Sequence, residues 1–163
     1  MIIRKGTTDD AKKILIMLHQ LDKETKYMMF EPQERKSSVE KIKDKLNKSH
    51  KEQVTFIIDD NTCIGGFLSA QRGEPNRIRH TAYIVIGLLK QYRGKGLGTK
   101  LFEELDKWAI ENNIKRIELT VVEENILARN LYKKMGFQEE GVREKSMKID
   151  NKYVNEIYMA KII

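Results

Sequence analysis

Between Lys90 and Lys100 the chain reads KQYRGKGLGTK, with four cations, three glycines and no acid. An apolar run, Ala82 to Leu89, precedes it, and a stretch with helical spacing begins at Leu97. The first N–H groups of a helix have no intrahelical partners, and the helix dipole places partial positive charge there. Glycine at Gly94, Gly96 and Gly98 lets such N–H groups approach an anion closely, while Lys90, Arg93, Lys95 and Lys100 add charge. The chemistry this suits is binding of a diphosphate. A plain turn with solvated lysines would need only one glycine. A P-loop requires G-x-x-x-x-G-K-[ST], which is not met, and a dinucleotide fingerprint requires a third glycine where Thr99 stands.

The elements that must position this loop follow from periodicity. Ile2 and Ile3 read as an opening strand, and Thr7 with Asp10 as a capping pair before a helix carrying Ala11, Ile14, Leu15, Leu18 and Leu21. Ser37 with Glu40 reads as the capping box of a second helix, with Val39, Ile42 and Leu46 as its apolar stripe. VTFIID and CIGGFLSAQ flank Asp59, Asp60 and Asn61 as a hairpin, which makes Cys63 a buried strand residue. IRHTAYIVIGLL is the third long strand, and Gly87 within it suggests a bulge. A helix then runs from Leu97 to about Asn112, RIELTVV forms a strand, and a short helix from Ile126 to Met135 stops at Gly136. FQEEGV and KYVNEIYMAKII close the chain as two strands. This order predicts an α/β fold in one domain, 1–163: a mixed, mainly antiparallel sheet of about seven strands with helices on both faces.

Composition narrows the partners. The net charge of +7 suits nucleic acid, an anionic membrane or a phosphorylated ligand. Neither an aromatic-basic RNA-binding pattern nor zinc-ligand spacing is present, which speaks against nucleic acid. The longest apolar run is far short of the roughly 20 residues that span a bilayer. The single cysteine leaves no intramolecular disulfide and no multi-cysteine metal site, so a cytoplasmic protein without a metal is expected.

Gln91, Gly94 and Gly96 match Q/R-x-x-G-x-G/A, the acetyl-CoA signature of the GNAT N-acetyltransferase superfamily, and the chain resembles that family. Asn125, Ala128, Leu131 and Tyr132, followed by Gly136 and Phe137, resemble its second cofactor segment, and YVNEIYMAKII resembles its last strand. The resemblance covers nearly the whole chain. It implies a splayed strand pair, Ala82 to Leu88 and Arg116 to Val122, that admits the pantetheine arm. Backbone from Ile86, Gly87 and Leu88 would meet pantetheine, and Gly94, Lys95, Gly96, Leu97, Gly98 and Thr99 would cradle the pyrophosphate beside Gln91 and Arg93.

The implied reaction is direct acetyl transfer from acetyl-CoA to a primary amine, which needs a neutral amine and a proton for the leaving thiolate. By resemblance Tyr132 is the general acid, although Ala128 and Met135 on its helical face also fit a packing role. Asn125 would bind cofactor through its amide or cap the short helix. The splayed strands carry Ile84, Ile86 and Thr120 near where many family members place a glutamate base, so His80 is the candidate base. Glu31 and Glu34, behind the apolar run Tyr27 to Phe30, are candidates to attract an acceptor ammonium with an apolar body. A homodimer is compatible with the sequence. The alternative reading is a non-catalytic module that binds CoA or RNA on the same fold.

Overall fold

In a computed structural model the structure describes residues 1–163, and its core is one seven-stranded sheet in the order β1-β2-β3-β4-β5-β7-β6. The strands are β1 (Ile2–Lys5), β2 (Gln53–Asp59), β3 (Ile64–Arg72), β4 (Thr81–Leu88), β5 (Arg116–Val122), β6 (Gln138–Ile149) and β7 (Lys152–Ile162). Every neighbouring pair is antiparallel except β4 with β5. The helices are α1 (Ala11–Glu24), α2 (Val39–Leu46), α3 (Leu97–Glu111) and α4 (Ile126–Lys134). The expected fold class and element order are therefore observed.

Local chemistry explains most boundaries. The Asp10 carboxylate accepts from the Thr7 backbone N–H at 2.8 Å and from Arg4, which also reaches Asp59 of β2. The start of α1 is thus tied to the outer strands. The cap of α2 is Ser38, whose side chain accepts from Lys41 N–H, and not Ser37. Ser38 is the residue in extended backbone immediately before the helix, the position from which a side chain can accept from the first-turn N–H groups. Between β2 and β3 the turn holds Cys63, half-buried beside the Tyr92 hydroxyl at 3.2 Å. Cys63 is a turn residue and not the strand residue its apolar neighbours suggested. A 3₁₀ turn over Asn76–Ile78 takes Ile78, and a turn takes Arg79 and His80, so β4 starts at Thr81 and not at Ile78.

Gly87 marks no bulge, because β3 and β4 pair without a register shift from Gly66↔Leu88 to Arg72↔Ala82. A Cβ on Gly87 would lie 2.5 Å from Cδ2 of Leu21. The glycine lets α1 sit directly on the strand. At the other edge, β6 is twice as long as FQEEGV: it continues through Ile149 and returns through Asp150 and Asn151, with φ of 52° and 61°. Positive φ at both central residues is the hairpin turn whose twist matches its strands. Opposite Asn155 the β6 register jumps between Arg143 and Met147, and the Asn155 side chain accepts from Lys145 N–H at 2.9 Å to hold that irregularity.

The core unites both helical layers. Trp108, Phe102, Leu101 and Leu105 of α3 are essentially fully buried, as are Met17 and Leu21 of α1. No helix is long and apolar enough to cross a membrane.

Candidate active site

β4 and β5 pair only from Thr81↔Arg116 to Tyr83↔Glu118. Beyond that point each strand follows its other neighbour, β4 pairing with β3 as far as Leu88 and β5 with β7 as far as Val122. The strands therefore splay, and a cavity of about 790 Å³ opens between them. Backbone N–H and C=O groups at such a gap have lost sheet partners and are free to pair with an extended ligand.

One end of the cavity is the glycine loop. Gly94 and Gly96 adopt φ of +71° and +74°, in the left-handed region, and Gly96 is the N-cap of α3 with no capping side chain. A Cβ built on either glycine meets nothing within 4 Å. Both positions thus face open space, a cradle that a side chain would fill. The N–H groups at the start of α3 and the helix dipole point to the same place, which fits an anionic group. Gly98 has a different function: its Cβ would lie 2.9 Å from Leu131, so this glycine brings α3 and α4 together.

The other expected cofactor residues divide. Ile86, Gly87, Leu88, Arg93, Leu97, Thr99 and Asn125 line the cavity. Gln91 and Lys95 do not; both are exposed, and Lys95 lies over the Tyr92 ring. Arg93 donates to the Leu88 carbonyl at 2.8 Å, bracing the loop against the end of β4. Asn125 Oδ1 accepts from Ala128 N–H at 3.4 Å, so its oxygen caps α4 while the residue borders the cavity. Sequence shows only cations in this region, but folding adds a carboxylate: Glu24 accepts from the Lys90 N–H at 2.6 Å.

Tyr132 reaches the cavity from α4. Its ring packs edge-on against Phe102 at 5.9 Å between centroids and lies 6.1 Å from Phe137. The hydroxyl is neither hydrogen-bonded within the protein nor sealed from the cavity. Burial pushes its phenol well above the ordinary value of 10.0. A raised phenol pKa keeps the proton in place through neutral and mildly alkaline pH, the state a general acid needs.

The acceptor-side expectations fare differently. His80 is exposed in the turn before β4, at the end where β4 and β5 still pair, and it does not line the cavity. His80 precedes β4, which starts at Thr81, and the splay opens at the other end of the strand. Glu31 and Glu34 are also exposed and outside the lining; Glu34 accepts from the Glu31 N–H at 2.9 Å and closes its own loop. Phe30 is occupied by the Arg35 guanidinium, 4.6 Å from its ring centroid. Tyr27, Met28 and Met29 do form a wall of the cavity. Their loop is clasped by Arg35, which donates to Asp22 at 2.7 and 2.8 Å in a pair almost removed from solvent.

The sequence reading places Thr120 at the splay but gives no role to Tyr83 or Glu156, which also line the cavity. Tyr83 and Thr120 join their hydroxyls at 2.9 Å across the splayed strands, and Glu156 of β7 is buried at 6% exposure. The alternation of β7 places Glu156 off the Ile157 and Met159 core face, a signal present in YVNEIYM but without meaning until the sheet order is known.

The comparisons agree with this geometry. The Acetyltransferase (GNAT) family model matches residues 15–137. The L-amino acid N-acetyltransferase AaaT of Escherichia coli (strain K12) is 31% identical over 114 residues, spanning 68% of this chain and 67% of that protein. A GNAT-family acetyltransferase from Streptococcus pneumoniae superimposes with a TM-score of 0.95 at 31% identity, covering 99% of both chains. The yncA protein of Salmonella typhimurium, solved with its cofactor acetyl-CoA, has the same fold, with a TM-score of 0.85 at 15% identity over 99% of this chain and 92% of that one. A splayed strand pair, a side-chain-free helix N-terminus and a buried tyrosine at one cavity, together with these matches, identify the chain as a member of the GNAT family of N-acetyltransferases.

Proposed function

We propose that the chain transfers an acetyl group from acetyl-CoA directly to a primary amine that carries an apolar portion. The observation that carries this reading is the end of β4–β5 pairing at Tyr83↔Glu118, which opens one cavity bordered by the left-handed glycines and by Tyr132. The N–H groups from Gly94 to Thr99 would take the pyrophosphate, and Ile86 to Leu88 the pantetheine arm. Bound acetyl-CoA would supply an activated thioester, so no covalent enzyme intermediate is needed. Tyr132, held protonated by burial, would give its proton to the departing sulfur.

The acceptor would enter on the α1 side, along Tyr27, Met28 and Met29. An apolar body would displace water from that wall, and the amine would face the splay. The name of AaaT supports an amine acceptor of small size.

The test is thermal denaturation followed by turnover. Acetyl-CoA binds only the folded state, so it should raise Tm in proportion to the logarithm of its concentration, while ATP and NADH should not. Thiol release from acetyl-CoA should then depend on an added amine. A protein stabilised equally by ATP and acetyl-CoA would contradict the cofactor assignment.

A further inference from the structure

Two carboxylates line the cavity, Glu24 and Glu156. Glu24 accepts from Lys90 N–H and from the Gln20 amide at 2.9 Å, at the glycine-loop end. Glu156 lies across the splay from β4, on β7 opposite Val122 of β5. Its Oε1 accepts from Arg143 at 3.1 Å, and its Oε2 accepts no hydrogen bond from the protein.

Register fixes which way Glu156 looks. Val122↔Glu156 and Thr120↔Tyr158 are paired positions, and paired residues project from the same face of a sheet. The Tyr83–Thr120 hydrogen bond puts Tyr83 on that face, and alternation along β4 adds Gly87, over which Leu21 of α1 packs. Glu156 is therefore on the α1 face, with Met147 beside it in the lining. Tyr132 packs on Phe102 of α3. A carboxylate on one face and a phenol from the other layer border the same splay.

We propose that Glu156 binds the acceptor's ammonium group and takes its proton, a role that rests on the acetyl-transfer reading above. A buried carboxylate with one unoccupied oxygen is a strong site for a cation that brings its own N–H donors. Arg143 does not satisfy it: the arginine side chain is 43% exposed, leans over the Tyr158 ring and leaves Oε2 free. In the step, Glu156 receives one proton from R–NH₃⁺, and the freed lone pair forms the C–N bond with the thioester carbonyl carbon. The C–S bond breaks with its electron pair on sulfur, which takes the Tyr132 proton. The nitrogen loses its second proton, which in net restores Tyr132, and Glu156 returns its proton to solvent. Ammonium and acetyl thioester thus give acetamide, thiol and one proton.

The test uses two near-isosteric acceptors, phenethylamine, cationic at pH 7, and O-benzylhydroxylamine, neutral there, with wild type, Glu156→Gln and Arg143→Gln. Glu156→Gln should lower kcat/KM for phenethylamine about 100-fold and for O-benzylhydroxylamine less than about 5-fold. With CoA bound, phenethylamine should raise the Tm of wild type and not of Glu156→Gln, while the acetyl-CoA shift stays the same in both. Arg143→Gln should retain phenethylamine turnover. Equal losses for the two acceptors, an equal or absent phenethylamine shift in wild type and Glu156→Gln, or the same defect in Arg143→Gln would overturn the role of Glu156. Loss of the acetyl-CoA shift in wild type would instead overturn the cofactor reading.

Discussion

The two ends of the cavity are built on different principles. At the glycine loop the protein presents backbone: left-handed glycines, a helix N-terminus without a capping side chain, and strand edges without partners. At the proposed acceptor end it presents side chains drawn from distant segments, with Tyr27, Met28 and Met29 after α1, Tyr83 and Thr120 across the splay, and Glu156 on β7. Backbone geometry suits a ligand common to a whole family, because it depends on a short local sequence. Side-chain walls suit a ligand that differs between members, because each wall can change without disturbing the fold.

Gly96→Val should show the contrast most sharply. A β-branched residue at φ +74° meets strain of about 1–2 kcal/mol and fills the space the anion would occupy, so acetyl-CoA affinity should fall at least about 100-fold. Calorimetric titration reads this directly, and an unchanged Kd would remove the loop from the cofactor site. Next in size, Tyr132→Phe should lower kcat about 100-fold with acetyl-CoA affinity kept. In wild type, because the folded phenol pKa is raised, kcat should not fall through loss of the Tyr132 proton as pH rises to the ordinary value of 10.0. A decline below that pH that vanishes in Tyr132→Phe would contradict the burial argument.

Smaller effects separate the acceptor wall from the outer scaffold. Asp22→Asn weakens the clasp on the Tyr27–Met29 loop, so the amine KM should rise about 10-fold while the acetyl-CoA KM stays put. Equal changes in both constants would mean that the clasp serves the fold alone. Asp10→Asn should alter neither KM. Hydrogen bonds from Arg4 hold the Asp10 carboxyl at about 2, below the usual 3.8, so its stabilisation is present above the unfolded value and is lost as pH falls from about 4 towards 2. At neutral pH the substitution should cost at most about 2 kcal/mol, and chemical denaturation at pH 7 and pH 2.5 should show the gap between the two proteins closing.

The same contrast explains what the sequence reveals. The element order and the α3 N-terminus are legible because periodicity and a glycine-rich strand–helix junction are local patterns, whereas Tyr132 is singled out only through the family resemblance. Even at that junction, matching Gln91 and Lys95 to the motif does not place their side chains in the cavity, since the loop leaves both exposed to solvent while its other residues from Tyr92 to Thr99 form the lining. The acceptor side is not legible locally. Glu156 gains meaning only when β7 inserts between β5 and β6, a pairing invisible in a linear reading. His80, Glu31 and Glu34 had suitable chemistry and a suitable neighbourhood in sequence, but the register put the first at the closed end of the β4–β5 pair, and loop closure turned the other two outward. FQEEGV covers only the first part of β6, whose pairing register is interrupted between Arg143 and Met147, where the Asn155 side chain of the neighbouring strand accepts from Lys145 N–H.

The central claim, that backbone at the splay and the glycine loop holds acetyl-CoA while the acceptor wall does not, is tested most directly by amide hydrogen exchange with and without acetyl-CoA. Protection should rise from Ile86 to Leu88 and from Gly94 to Thr99, where free N–H groups meet the ligand, and should change little from Tyr27 to Met29. Protection confined to Tyr27–Met29, with the glycine loop unaltered, would contradict the account.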